Sequence, residues 1–133
     1  MEQWQADCRL GYDSEISLLE QLREKFNRDI IPCSNYFIFD FQSYRTYYEL
    51  KTRRCKSTDY KDTMIGLNKI TYAQNNYDNK DFLFLFNFTD GLFYWKFDVK
   101  EQLNYRMGGR MDRHYGNELK EYCFIPTHLL KKV

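Results

Sequence analysis

The sequence predicts an α/β protein in which helices flank a mixed central sheet, and three observations predict it. Apolar residues recur at helical spacing in two separate stretches, two pairs of strand-like runs are joined by short turns, and the run Phe82-Leu83-Phe84-Leu85-Phe86 is apolar without a break. In order, Asp13 or Ser14 can cap a helix over residues 15–29, where Leu18, Leu19, Leu22 and Phe26 make an apolar stripe. Residues 35–42 (NYFIFDFQ) and 46–53 (TYYELKTR) read as two antiparallel strands joined by a turn at Ser43-Tyr44-Arg45. Residues 62–76 have the spacing of a second helix, with Met64, Leu67, Ile70 and Ala73 toward the core. The apolar run near residue 84 suits a strand covered on both faces, and Asp90-Gly91 turns it into a second hairpin strand, LFYWKFD. Residues 101–122 are polar and basic around Gly108-Gly109, and CFIPTHLLKKV offers a short strand and a final helical turn. No repeat or linker interrupts the 133 residues, so one domain over 1–133 is expected.

Composition narrows the function classes. A formal net charge of +1 argues against a polycation that coats nucleic acid, so any such binding needs a local patch. No stretch approaches the roughly 18 apolar residues of a membrane span, and no secretion signal is recognisable at the N-terminus, which predicts a soluble intracellular protein, cytoplasmic or nuclear, with no membrane partner. Cys8, Cys33, Cys55 and Cys123 lie far apart without zinc-site spacing, so reduced thiols are expected. His114 and His128 stand singly, and Ser34 has no visible His/Asp arrangement to activate it.

The charges that interrupt apolar elements are more informative. Glu49 and Lys51 alternate with Tyr48, Leu50 and Thr52, so they share one face of their strand. Asp40 interrupts YFIFDF one strand earlier, where a carboxylate needs a partner, a metal or water. On a helical wheel, Leu18, Leu19, Leu22 and Phe26 fall within about 60° of Glu15, which places Glu15 on the inward face. Three carboxylates and an ammonium would then converge, and such oxygen ligands suit Mg²⁺ (or Mn²⁺) and phosphodiester hydrolysis. Glu-x-Lys by itself says little, since it arises by chance in about one of two chains this long. A second copy occurs here at Glu118-Leu119-Lys120, in a polar stretch that reads as solvated surface.

Glu15 on a first helix, Asp40 at a strand and Glu49-Leu50-Lys51 on the next strand resemble the PD-(D/E)XK nuclease superfamily, closest in layout to small Holliday-junction-resolvase-like and viral or phage nucleases. The resemblance covers roughly residues 11 to 98 and implies a restriction-endonuclease-like αβββαβ core. By that resemblance Asp40, Glu49 and the main-chain carbonyl of Leu50 bind a divalent metal, Lys51 assists the nucleophilic water, and Glu15 is a further ligand. Lys69 or Gln74 on the second helix stands where some branches carry an auxiliary Lys or Gln. Phe39 replaces the Pro of the family name, and Gln74 and Tyr77 do not have the Gln-x-x-x-Tyr spacing of the exonuclease branch.

The implied activity is metal-dependent cleavage of DNA, including branched or junction DNA in replication, recombination or repair. A homodimer would place two sites on two strands. Arg53, Arg54 and Lys56, with Arg106, Arg110 and Arg113, are the candidate phosphate contacts. Tyr44, Tyr47, Tyr48 and Tyr60 could stack on unpaired bases, but an aromatic content of 19 % favours core roles for them. A nuclease-fold module that binds nucleic acid or protein without cutting is the alternative; unlike the enzyme, it would bind without metal.

Overall fold

The computed structural model describes residues 17–108 and 120–133. Glu15, Arg110, Arg113, His114, Cys8 and the Glu118-Leu119 of the second Glu-Leu-Lys lie outside them. The first helix, α1, is described over residues 17–25. It is followed by β1 (Ile31–Pro32), β2 (Phe41–Gln42), β3 (Thr46–Thr52), β4 (Asp62–Gly66), α2 (Leu67–Asn76), β5 (Asp81–Phe88), β6 (Gly91–Lys96), β7 (Asn104–Gly108), β8 (Lys120–Pro126), a 3-10 turn (Thr127–Leu129) and β9 (Lys131–Lys132). Among the described residues the strands form a six-stranded sheet, β1-β2-β3-β5-β6-β9, and a three-stranded sheet, β4-β8-β7. In the larger sheet β3 and β5 are parallel while β1-β2, β2-β3, β5-β6 and β6-β9 are antiparallel, so it is mixed as expected.

Strand β5 explains the layering. Its Phe82, Phe84, Phe86 and Phe88 point to one face, where they pack with Ile70 and Ala73 of α2 and with Ile65, Cys123 and Ile125 of the smaller sheet. Leu83 and Leu85 point to the other, where they meet Leu22 of α1 with Ile30, Phe41 and Tyr48. A period of two with apolar residues on both faces is what a strand sandwiched between layers requires. Strand β6 repeats the division: Leu92 belongs to the α1 side, while Phe93 and Trp95 belong to the α2 side. The hairpin between β5 and β6 closes on Gly91, whose φ of 144° only glycine adopts readily.

Two predicted elements need correction. Residues 35–42 are not a full strand, because only Phe41–Gln42 pairs with β3. The Phe37 N–H turns back to the Ser34 carbonyl (2.9 Å), and the Ile38 carbonyl accepts from Lys69 Nζ instead of a neighbouring strand. Phe37 and Phe39 instead pack as loop residues against Tyr47 and Tyr72. Residues 62–66 are a strand and not the start of a helix. Thr63 and Ile65 are buried in alternation with Asp62, Met64 and Gly66, and the segment pairs with β8 some sixty positions later. β-branched residues at alternate positions and a glycine at residue 66 outweigh the helical spacing of Met64 with Leu67. The short strand expected in the CFIP segment is β8, and the stretch before it, expected to be irregular, supplies β7 of the smaller sheet.

Candidate active site

The loop into β2 meets the β2-facing side of β3 at Asp40. Its N–H donates to the Tyr48 carbonyl (3.0 Å) and its carbonyl accepts from the Cys33 N–H (2.8 Å), so its backbone is clamped between two segments. Its Oδ2 accepts the Leu50 N–H at 2.8 Å, which holds the carboxylate beside Glu49. At the two ends of β3, the Arg53 N–H donates to the Asn87 carbonyl and the Arg45 carbonyl accepts from the Asp81 N–H, both on β5, whereas Tyr48 and Leu50 turn to the Asp40 side. A strand residue directs its N–H and C=O to the same edge, so the Leu50 carbonyl also faces the Asp40 side.

Glu49 sits on the α2 face of the sheet and is 3 % exposed. Two ammonium groups approach its carboxylate: Lys51 Nζ lies 3.3 Å from Oε1 and Lys69 Nζ lies 3.3 Å from Oε2. The second contact is an ion pair without hydrogen-bond alignment, because Oε2 has no hydrogen-bond partner. Burial raises the Glu49 pKa, the neighbouring Asp40 charge raises it further, and Lys51 and Lys69 pull it back. The site thus holds a carboxylate where its charge is costly, and one of its oxygens has an ion pair but no hydrogen bond.

Lys69 is placed there against helical preference. It lies in the first turn of α2, a turn without acidic residues or a side-chain cap on Gly66, where a cation opposes the helix dipole. Its compensation is the Glu49 carboxylate, the Ile38 carbonyl and the Phe39 ring, 5.6 Å from Nζ. Gln74 is not part of this cluster. Five residues further along the helix it lies about 140° round the axis from Lys69, and its Nε2 donates to the Tyr105 hydroxyl at 3.4 Å.

Among the described residues no group of three or more His, Cys, Asp and Glu side chains is placed to hold a metal ion. Asp40, Glu49 and the Leu50 carbonyl form a smaller oxygen set, which suits Mg²⁺ because that ion keeps several waters and takes one or two carboxylates. Glu49 Oε2 meets the Lys69 ammonium at 3.3 Å but makes no hydrogen bond, so its lone pairs are open to a metal ion.

Sequence reading missed Cys33, whose N–H donates to the Asp40 carbonyl at 2.8 Å and whose thiol pKa is raised by burial and then by Asp40 and Glu49. Nothing in its spacing signals this, because the Cys33–Asp40 backbone bond that brings it in closes a loop of no regular period. The candidate phosphate contacts separate by environment. Arg53 is half-buried and donates from Nη2 to the Met64 carbonyl at 2.6 Å, which ties β3 to β4. Arg106 pairs with Asp62 at 2.5 Å and covers the Phe124 ring at 3.8 Å, while Arg54 and Lys56 are exposed. Of the four tyrosines, Tyr48 is buried and Tyr47 packs against the core, whereas Tyr44 and Tyr60 project into solvent.

No helix among the described residues is long and apolar enough to cross a membrane. No curated protein and no solved structure matches the chain significantly. Residues 19–133 match the family described as "Phage putative PDDEXK endonuclease". With that match running from α1 to the last residue, and through both Asp40 and the Glu49-Leu50-Lys51 strand, the chain belongs to this phage endonuclease family of the PD-(D/E)XK nuclease superfamily.

Proposed function

We propose that this chain is an endonuclease that hydrolyses phosphodiester bonds of DNA with the help of Mg²⁺ or Mn²⁺, as a single domain. The observation that carries the reading is Glu49, a carboxylate 3 % exposed, with two lysines and Asp40 beside it and one oxygen lacking a hydrogen bond. On this reading α1, the β1-β2-β3 meander, α2 and β5 would be the αβββαβ core, with β4 an insertion before α2; the element order supports it.

Asp40, Glu49 and the Leu50 carbonyl would hold the metal. When bound, the ion lowers the pKa of a bound water and shields the charge that develops on the phosphoryl group. The chain's own residues do the positioning. The Leu50 N–H fixes the Asp40 carboxylate, and Lys51, with its side chain 38 % exposed, can reach an incoming phosphate or water from its place on Glu49. Lys69 is more enclosed and holds the Glu49 carboxylate and the loop carrying Ile38 in register.

The test is incubation of the protein with duplex, single-stranded and branched DNA, with Mg²⁺, with Mn²⁺ and with chelator. Cleavage that needs the ion supports the enzyme, and a preference for branched DNA would make it structure-selective. If nothing is cut under any condition while DNA binding persists without metal and survives Glu49→Ala, the non-cutting module is the correct reading. A further expected result concerns Lys69. Its charge lowers the Glu49 pKa, so Lys69→Met should move the acid limb of the pH–rate profile upward. Activity at neutral pH should fall about tenfold, one 1.4 kcal/mol step in the barrier, and an unmoved limb would remove Lys69 from the site.

A further inference from the structure

Glu49, Lys51 and Arg53 are alternate residues whose side chains share one face of the β3 edge. Beyond Lys51, this face opens into a cleft of about 340 Å³ between the end of β3, β4 and β8. Its lining includes Arg53, Cys55, Lys56, Tyr60, Phe88 and Phe124. The cleft is mainly apolar in its walls, aromatic at its floor and basic at its rim. Asp62, which also lines it, has its charge held by Arg106.

The walls are fixed before anything binds. The Thr89 N–H donates to the Cys55 carbonyl (2.9 Å), the Ser57 hydroxyl and N–H both donate to Asp90 (2.6 and 2.8 Å), and the Thr127 N–H donates to the Lys61 carbonyl (2.8 Å). Tyr60 is different: its carbonyl accepts from the Thr127 hydroxyl, yet the residue is 67 % exposed. Its ring thus lines the mouth of a preformed, mainly apolar cleft and is open to a ligand.

We propose that this cleft receives one unstacked base of the DNA strand being cut, with Tyr60 stacking on it. The inference rests on the nuclease reading and names how the substrate is held. Two strand residues span about 7 Å, the rise of about two stacked nucleotides, so a phosphate at Lys51 leaves a base two or three positions away within reach of the cleft. Phe88 and Phe124 supply an apolar floor, the exposed Lys56 faces the phosphate beside the base, and Arg53 has its Nη2 committed to the Met64 carbonyl at 2.6 Å. Arg53 therefore serves as a pocket wall more than as a tracking cation, which accounts for its half-buried position. Stacking is tolerant of sequence, so the cleft favours DNA in which a base is already unpaired.

Binding of fluorescently labelled DNA with a single-stranded or branched segment, measured by anisotropy with Ca²⁺ in place of Mg²⁺, tests this independently of cutting. Tyr60→Ala should weaken binding about tenfold, as loss of one stacked base does, and Tyr60→Phe should bind as the parent protein does. Replacing one nucleotide near the scissile phosphate with an abasic residue should abolish the difference between Tyr60→Ala and the parent, while abasic residues elsewhere leave it. Met64→Trp, which fills the cleft from β4, should reproduce the defect at an unchanged melting temperature. Equal binding by Tyr60→Ala, or a defect indifferent to where the abasic residue sits, overturns the proposal even if the protein cuts DNA. Position-dependent binding without cleavage upholds the cleft and removes the nuclease reading instead.

Discussion

Glu49→Gln is expected to abolish cleavage, with a loss of about 10³-fold or more, and to leave the protein at least as thermally stable as before at pH 7. The activity loss follows from removing the carboxylate with the unbonded Oε2, since the charge stabilisation a metal supplies is worth several kcal/mol of barrier. Lys51→Ala should cost about 10²-fold to 10³-fold, the range found when one donor to a developing charge is removed. Stability moves the other way because the Glu49 pKa is raised by burial above its ordinary value of 4.5 in spite of both lysines. The folded protein then binds the proton more tightly than the unfolded chain does. Stability is fully present below pH 4.5, falls as pH rises from there through the folded value, and stays lowered above it.

Glutamine has no such dependence, and its amide oxygen can still accept from Lys51 or Lys69. The melting temperatures of the two proteins should accordingly lie close together near pH 4 and separate in favour of Glu49→Gln toward pH 7. Mg²⁺ reverses the order. At a hundredfold excess over its Kd it should stabilise the parent protein by about 2.7 kcal/mol, several degrees, and leave Glu49→Gln unmoved. A Glu49→Gln protein that cuts DNA, or one that Mg²⁺ stabilises equally, would remove Glu49 as a metal ligand.

The parts of this site legible in the sequence are those that depend on local periodicity. Alternation along β3 put Glu49 and Lys51 on one face, and the unbroken apolar run of β5 marked a strand covered on both sides. Asp40 was legible as a charge that apolar neighbours could not tolerate unaided, although it lies in a loop just before the two-residue β2 and not within a strand. What could not be read depends on contacts between distant segments. β4 resembled a helix start because its partner β8 lies far along the chain, and β7 is an exposed edge strand with no apolar alternation to reveal it. Lys69 and Gln74 were equivalent candidates until the start of α2 at Leu67 fixed which side of the helix faces Glu49. Cys33 gave no signal, because a loop closure brings it to the acids.

Phe84→Ala should cost about 3–5 kcal/mol in urea unfolding against the roughly 5–15 kcal/mol that holds a domain of this kind together. Phe84 is 1 % exposed, stacks on Trp95 with ring centres 5.7 Å apart, and meets the Phe39 ring at 6.1 Å. It is also the register partner of Glu49 across the parallel β3-β5 pair, so it forms part of the apolar wall that keeps water from the carboxylate. Removing the ring admits water beside Glu49, relieves the burial that raises its pKa, and loosens Phe39, the residue preceding Asp40. The acid limb of the pH–rate profile should move downward while the maximal rate falls. Leu85→Ala separates this from simple destabilisation. Leu85 is equally enclosed at 0 % exposure but faces α1 on the other side of the sheet, so its loss of about 2–5 kcal/mol should leave the acid limb where it was. Measured below both melting temperatures, identical pH profiles for the two variants would show that the aromatic wall does not set the state of Glu49. A shift confined to Phe84→Ala would show that the residues packing the core also tune the acid proposed to hold the metal.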